Sequence, residues 1–184
     1  MTKTLRADAQ RNRDRLLSAA VELFSEAGED VSLEAIAKRA GVGIGTLYRH
    51  FPTRDSLLEA AYRNEVCQLS AAADALLAEH PPDEALALWL DRFVSYASAK
   101  RGMGNALRAM VSCSELFTDA RATNLAAIAR LLDAGVAAGT IRADVAPEDV
   151  LHATGGIWAL GDDNWDEHAR RLLRLLMDGL RYGA

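Results

Sequence analysis

Apolar residues recur along this chain at spacings of three and four, and nowhere alternate cleanly with a period of two. Leu16, Leu17, Ala20, Val21 and Phe24 form one stripe, which predicts a helix over NRDRLLSAAVELFSEA that Gly28 stops. Ser32 stands where an N-cap is needed, with Glu34 in the first turn. Leu33, Ile36 and Ala37 line one side of a short second helix ending at Ala40-Gly41. GVGIGTLYRHF reads as a third helix of barely two turns, closed by Pro52. Thr53 then caps a long fourth helix, RDSLLEAAYRNEVCQLSAAADALLAE. After the break at His80-Pro81-Pro82, a fifth helix covers DEALALWLDRFVSYASA. Gly102 and Gly104 mark a joint before NALRAMVSCSELF, and Thr118 caps DARATNLAAIARLLDAGVAAG. Gly139 to Asp144 reads as a turn, and Pro147 suits a first helical position ahead of EDVLHATGGIWAL. Asn164 and Glu167 are spaced as a capping box for the last helix, whose stripe is Leu172, Leu173, Leu176 and Leu180. The prediction is an all-α fold of about nine helices.

Composition supports this and narrows it. Half of the 184 residues are hydrophobic, enough to bury a core, and Ala, Leu, Arg and Glu are good helix formers. No run approaches the roughly 20 apolar residues that span a bilayer. The polar start MTKTLRADAQRNRDR predicts no signal peptide, hence a cytoplasmic protein. Two isolated cysteines and four scattered histidines have neither disulfide nor zinc-ligand spacing, so no metal or other cofactor is expected.

The formal net charge of −5 argues against a nucleic-acid partner, but only as an average. Residues 1–54 hold nine Lys/Arg against seven Asp/Glu, a net of +2. The rest hold twelve against nineteen, a net of −7. Within the first fifteen residues Lys3, Arg6, Arg11, Arg13 and Arg15 face only Asp8 and Asp14. A basic arm thus leads into a unit of three helices ahead of an acidic body.

The second and third helices, joined by a tight turn at Gly41, have helix-turn-helix proportions. Gly41 is suited to the positive φ of such a turn. The third helix exposes Thr46, Tyr48, Arg49 and His50 and keeps Leu47 and Phe51 for packing, a pattern suited to a major groove. GVGIG lacks the third glycine and the preceding strand of a dinucleotide loop.

SLEAIAKRAGVGIGTLYRHFPTRDSLLEAAY closely resembles the DNA-binding signature of the TetR family of transcriptional regulators, over about residues 10–62. The resemblance implies a helix-turn-helix DNA-binding domain at 1–54 and a helical effector-binding and dimerisation domain at 55–184. Ser32 and Leu33 would hold a backbone phosphate. Gly45, Thr46 and Arg49 would approach bases. Tyr48, His50 and Arg54 would contact phosphates, with Arg11 and Arg13 adding electrostatic contact from the arm. Many members carry Ser and then Lys or Pro where this chain has Gly43 and Ile44. The first change removes a hydroxyl contact, and the second makes the helix start apolar, suited to a thymine methyl.

The resemblance also implies a small-molecule effector, apolar or aromatic, in the body. Tyr62, Trp89, Phe93, Met103, Met110 and Asn124 are the candidate lining, although Met and aromatic residues also fill ordinary cores. For the dimer, Gly155 and Gly156 permit close helix approach, Ile157, Trp158 and Leu160 add apolar area, and Leu173, Leu176 and Leu180 pack opposite. The expected protein is a homodimeric repressor that binds a palindromic operator and is released by its effector, with no membrane partner. The alternatives are a helical-bundle enzyme or small-molecule binding protein, and a regulator of this type that lacks a ligand or activates.

Overall fold

The structure, a computed structural model, describes residues 2–27, 31–110, 113–155 and 164–181. Among these it is all-α, with eight helices and no strand. They are α1 (Thr2–Ala27), α2 (Leu33–Ala40), α3 (Ile44–His50), α4 (Arg54–Glu79), α5 (Pro82–Ala109), α6 (Cys113–Ala137), α7 (Pro147–Gly155) and α8 (Trp165–Arg181). Gly28, expected as the stop of the first helix, lies outside the described residues.

The difference from nine helices has a physical origin. The glycines at 102 and 104 do not break the chain, and α5 runs through them. A β-carbon at Gly102 would overlap the Ser25 backbone and lie 2.8 Å from Ser25 Cβ. Here glycine serves close approach between α5 and α1, and that packing offsets its helix penalty of about 1 kcal/mol. NALRAMVSCSELF is accordingly divided between the end of α5 and the start of α6, and Thr118 lies inside α6 instead of capping it. The first helix also begins earlier than expected. The basic arm is itself helical, with Gln10 donating to Asp14 at 2.7 Å and Arg11 paired with Asp8 along one face.

Other local expectations hold. Ser32 Oγ accepts from the Ala35 amide at 3.1 Å. Thr53 and Ser56 cap α4 reciprocally, each side chain accepting from the other's amide at 3.1 Å. Pro147 is the first residue of α7. Gly139, at φ 68°, turns the chain after α6.

Two compact units emerge. The first comprises residues 1–64 and 99–116, the second residues 65–98 and 117–184, so α4, α5 and α6 contribute to both. Leu16, Leu17, Ala20, Phe24, Ile36, Leu47, Phe51, Leu57 and Leu58 are buried in the first. In the second, Trp165, Ala169, Leu173, Met177 and Leu180 form the buried stripe of α8. Arg170 pairs with Asp91, and Arg181 with Asp83 at 2.8 Å, tying α8 to α5. Arg130 donates to Asp74 at 2.8 Å and to the Ser70 carbonyl at 3.2 Å, tying α6 to α4. No described helix is long and apolar enough to cross a membrane.

Candidate nucleic-acid interface

The turn between α2 and α3 is built by backbone closure. Gly41 takes φ 62°, ψ 38°, and its amide donates to Lys38 O at 3.1 Å while Val42 donates to Ala37 O at 2.9 Å. This Schellman pair satisfies the last carbonyls of α2 and swings the chain sharply into α3. Arg15 from α1 reaches the Gly41 carbonyl at 3.5 Å, so the turn has support beneath it. Arg39 pairs with Glu22 at 2.9 Å and Glu26 at 3.6 Å, bracing α2 on α1.

On this base α3 presents one face outward. Leu47 is buried, and Phe51 just beyond the helix is buried too. Ile44, Gly45, Tyr48 and Arg49, spaced one helical turn apart, are exposed. Ile44 stands 38% and Tyr48 46% open. Thr46 and His50 are half-buried at the flanks. Gly43 takes an ordinary φ of −66° and offers α3 no side-chain cap. Nothing lies within 4 Å of a β-carbon placed at Gly43 or Gly45. Neither glycine is demanded by internal packing, so the room they leave opens only outward.

The supporting basic residues divide into two groups. Arg11 is exposed, and Asp8 engages it as a surface pair of little stability value. Ser32 uses its oxygen as the cap acceptor, which leaves the hydroxyl proton for an external acceptor. Leu33 beside it is half-buried. Arg13 and Arg54 are half-buried, each with its guanidinium over a ring. The Arg13 guanidinium sits 5.5 Å from the Phe51 ring centroid. That of Arg54 sits 4.8 Å from the Phe24 ring centroid and donates to the Val31 carbonyl, fastening the entry to α2 onto α4. Position in a signature does not reveal such ring contacts. Arg15 at the turn was not among the expected site residues, although its four-residue spacing from Arg11 placed it on the same face.

The expected effector residues are all buried, but they are shared between the units. Tyr62, Met103 and Met110 belong to the first; Trp89, Phe93 and Asn124 belong to the second. The Trp89 and Phe93 rings are in contact, with centroids 5.8 Å apart, and the Trp89 indole donates to the Leu69 carbonyl at 2.8 Å. Lys100 lies 5.9 Å from the Tyr62 ring centroid, and burial lowers its pKa. Burial raises that of Glu65.

Of the expected dimer residues, Leu173 and Leu180 are buried in the chain's own core and Leu176 is half-buried. Gly155 ends α7 in open space. Gly156, Ile157, Trp158 and Leu160 lie outside the described residues. The outward face of α8 instead carries Leu172, 43% exposed, and Leu175, 67% exposed, with open space around Gly179. The sequence signal for this was the spacing Trp165, Ala169, Leu173, Met177, Leu180, which leaves Leu172 and Leu175 on another side of the helix.

Comparison with known proteins agrees with this fold. Residues 16–61 match the model described as bacterial regulatory proteins, tetR family, and residues 81–182 match that described as transcriptional regulator SbtR-like, C-terminal domain. A crystal structure of a TetR transcriptional regulator from Streptomyces coelicolor is 50% identical, with 94% of this chain and 99% of that chain covered and a TM-score of 0.87. A TetR transcription regulatory protein from Mycobacterium vanbaalenii is 37% identical over 96% and 99% of the two chains, with a TM-score of 0.80. HTH-type transcriptional regulators of Staphylococcus aureus are 48% identical over 54 residues, which is 29% of this chain and 29% of their own length. These relatives are regulators of transcription, not enzymes.

Proposed function

Because the chain belongs to the TetR family of transcriptional regulators, we propose that it binds a palindromic operator as a homodimer, represses there, and is released by a small-molecule effector. The observation that carries the DNA-binding part is the exposed stripe Ile44, Gly45, Tyr48 and Arg49 on a helix braced by the Gly41 turn. In this reading residues 1–54 are the DNA-binding domain and residues 55–184 the effector-binding and dimerisation domain, in a cytoplasmic protein. Arg49 and Thr46 read base edges, with Gly45 giving the backbone room to approach. Ile44 meets a thymine methyl, the one apolar group a base pair offers in the major groove. Tyr48, His50 and the Ser32 hydroxyl hold phosphates, with Leu33 at the same helix start, and Arg11 adds charge.

One seven-residue helix reads few base pairs, so two copies about 34–36 Å apart suit a palindrome. Leu172, Leu175, Leu176 and Gly179 form the self-complementary face on α8 that such a pair requires. An effector in the body then favours a conformer that fits the operator poorly, which takes a differential affinity of a few kcal/mol.

The test is selection from a random DNA library by the full chain, followed by gel shifts on the recovered site. A palindromic site is expected, and Arg49→Ala should abolish selectivity for it while leaving weak salt-dependent binding. A folded dimer that retains no DNA at low salt would overturn the reading.

A further inference from the structure

Among the described residues only Asn124 and Thr154 are polar side chains taken into the core. Thr154 satisfies itself, donating to the Leu151 carbonyl at 2.7 Å. The Trp89 indole, buried in the same unit, donates to Leu69 O. Asn124 differs. It is 4% exposed, and its Oδ1 is the one buried side-chain oxygen or nitrogen among the described residues with no hydrogen-bond partner. An unmet buried amide oxygen is costly, and exchanging Asn for an apolar residue would remove that cost. Its neighbours on the buried face of α6 are Ala120 one turn before and Ala127 and Ile128 one turn after, none of which has a donor side chain. Both alanines are small, and the face continues into Leu131. The result is an apolar helix face carrying one buried acceptor that nothing among the described residues meets.

We infer that Asn124 determines effector class: the second unit takes a largely apolar ligand that donates a hydrogen bond, from a hydroxyl or N–H, to Asn124 Oδ1. This rests on the effector reading above. An unmet acceptor among apolar neighbours favours alcohols, phenols and N–H groups, which can donate to it, over hydrocarbons and ethers, which have no donor to offer it.

Isothermal titration of the full chain with two matched probe pairs tests this. The pairs are 1-naphthol with naphthalene, and 1-octanol with its isomer heptyl methyl ether. Area burial alone ranks naphthalene above 1-naphthol, so the first pair sets the two explanations against each other. The donor-bearing member of at least one pair should bind about tenfold more tightly, and Asn124→Leu should bring that ratio to within about twofold. The variant removes an unmet group, so its Tm should equal or exceed that of the parent, and the parent comparison stands without it. Equal binding within each pair, tighter binding of the non-donors, or a preference that survives Asn124→Leu would overturn the inference and leave the effector reading intact. No binding by any of the four would overturn both.

Discussion

Gly102 on α5 lies against Ser25 on α1 so closely that no β-carbon fits between them. Gly102→Ala should therefore lower stability even though alanine is the better helix former. Overpacking of this kind costs about 1–3 kcal/mol. At about 2–4 °C per kcal/mol for a chain of this size, thermal unfolding at fixed protein concentration should show the loss. A Tm at or above the parent would show that α1 and α5 can part without cost.

Gly45 supplies the opposite case. Its surroundings are open, so Gly45→Ala should leave Tm unchanged or raise it, by helix propensity worth up to about 1 kcal/mol. In the proposed complex the same methyl stands between α3 and the DNA, so affinity for the selected site should fall several-fold. Gel shifts and melting curves on one preparation check both halves. Undiminished affinity would remove Gly45 from the interface.

On α8 the two faces should respond differently. Leu175→Glu places a charge on the exposed side and should yield monomers in analytical ultracentrifugation with little change in secondary structure. Leu173→Ala hollows the chain's own core and should cost about 2–5 kcal/mol. If Leu175→Glu sediments as a dimer, the pairing face lies elsewhere.

Glu65 should give a pH-dependent signature. Burial raises its pKa in the folded chain, so between the unfolded value and the raised one the folded state binds more protons. Its contribution to stability is thus lost as pH rises through the raised pKa and recovered on acidification. Glu65→Gln should melt higher than the parent at pH 7.5, with the difference closing toward pH 4.5. A difference independent of pH would assign the effect to something other than the carboxylate.

Helix α3 and the turn before it were legible in the sequence because their causes are local. Ser32, Gly41 and Thr53 act on amides within a few residues, and a short helix with Leu47 and Phe51 inward has few ways to sit. What escaped depended on distant partners. Gly102 looks like a breaker until Ser25 is placed beside it, and the contacts of Arg54 with Phe24 and the Val31 carbonyl could not be read from its place in the signature. On α8, leucines on adjacent faces blur the stripe. Only burial shows that Leu173 and Leu180 belong to the interior and that Leu172 and Leu175 do not.

Ile44, Gly45, Tyr48 and Arg49 lie on the solvent side of α3, and the inward Leu47 and Phe51 do the anchoring. Replacements along that stripe should therefore be nearly silent for folding. In the proposed complex these positions face the operator, so a duplicated copy of this gene could drift to a new site through them while its fold stayed as it is, and divergence in sequence preference need not wait for compensating changes in the core.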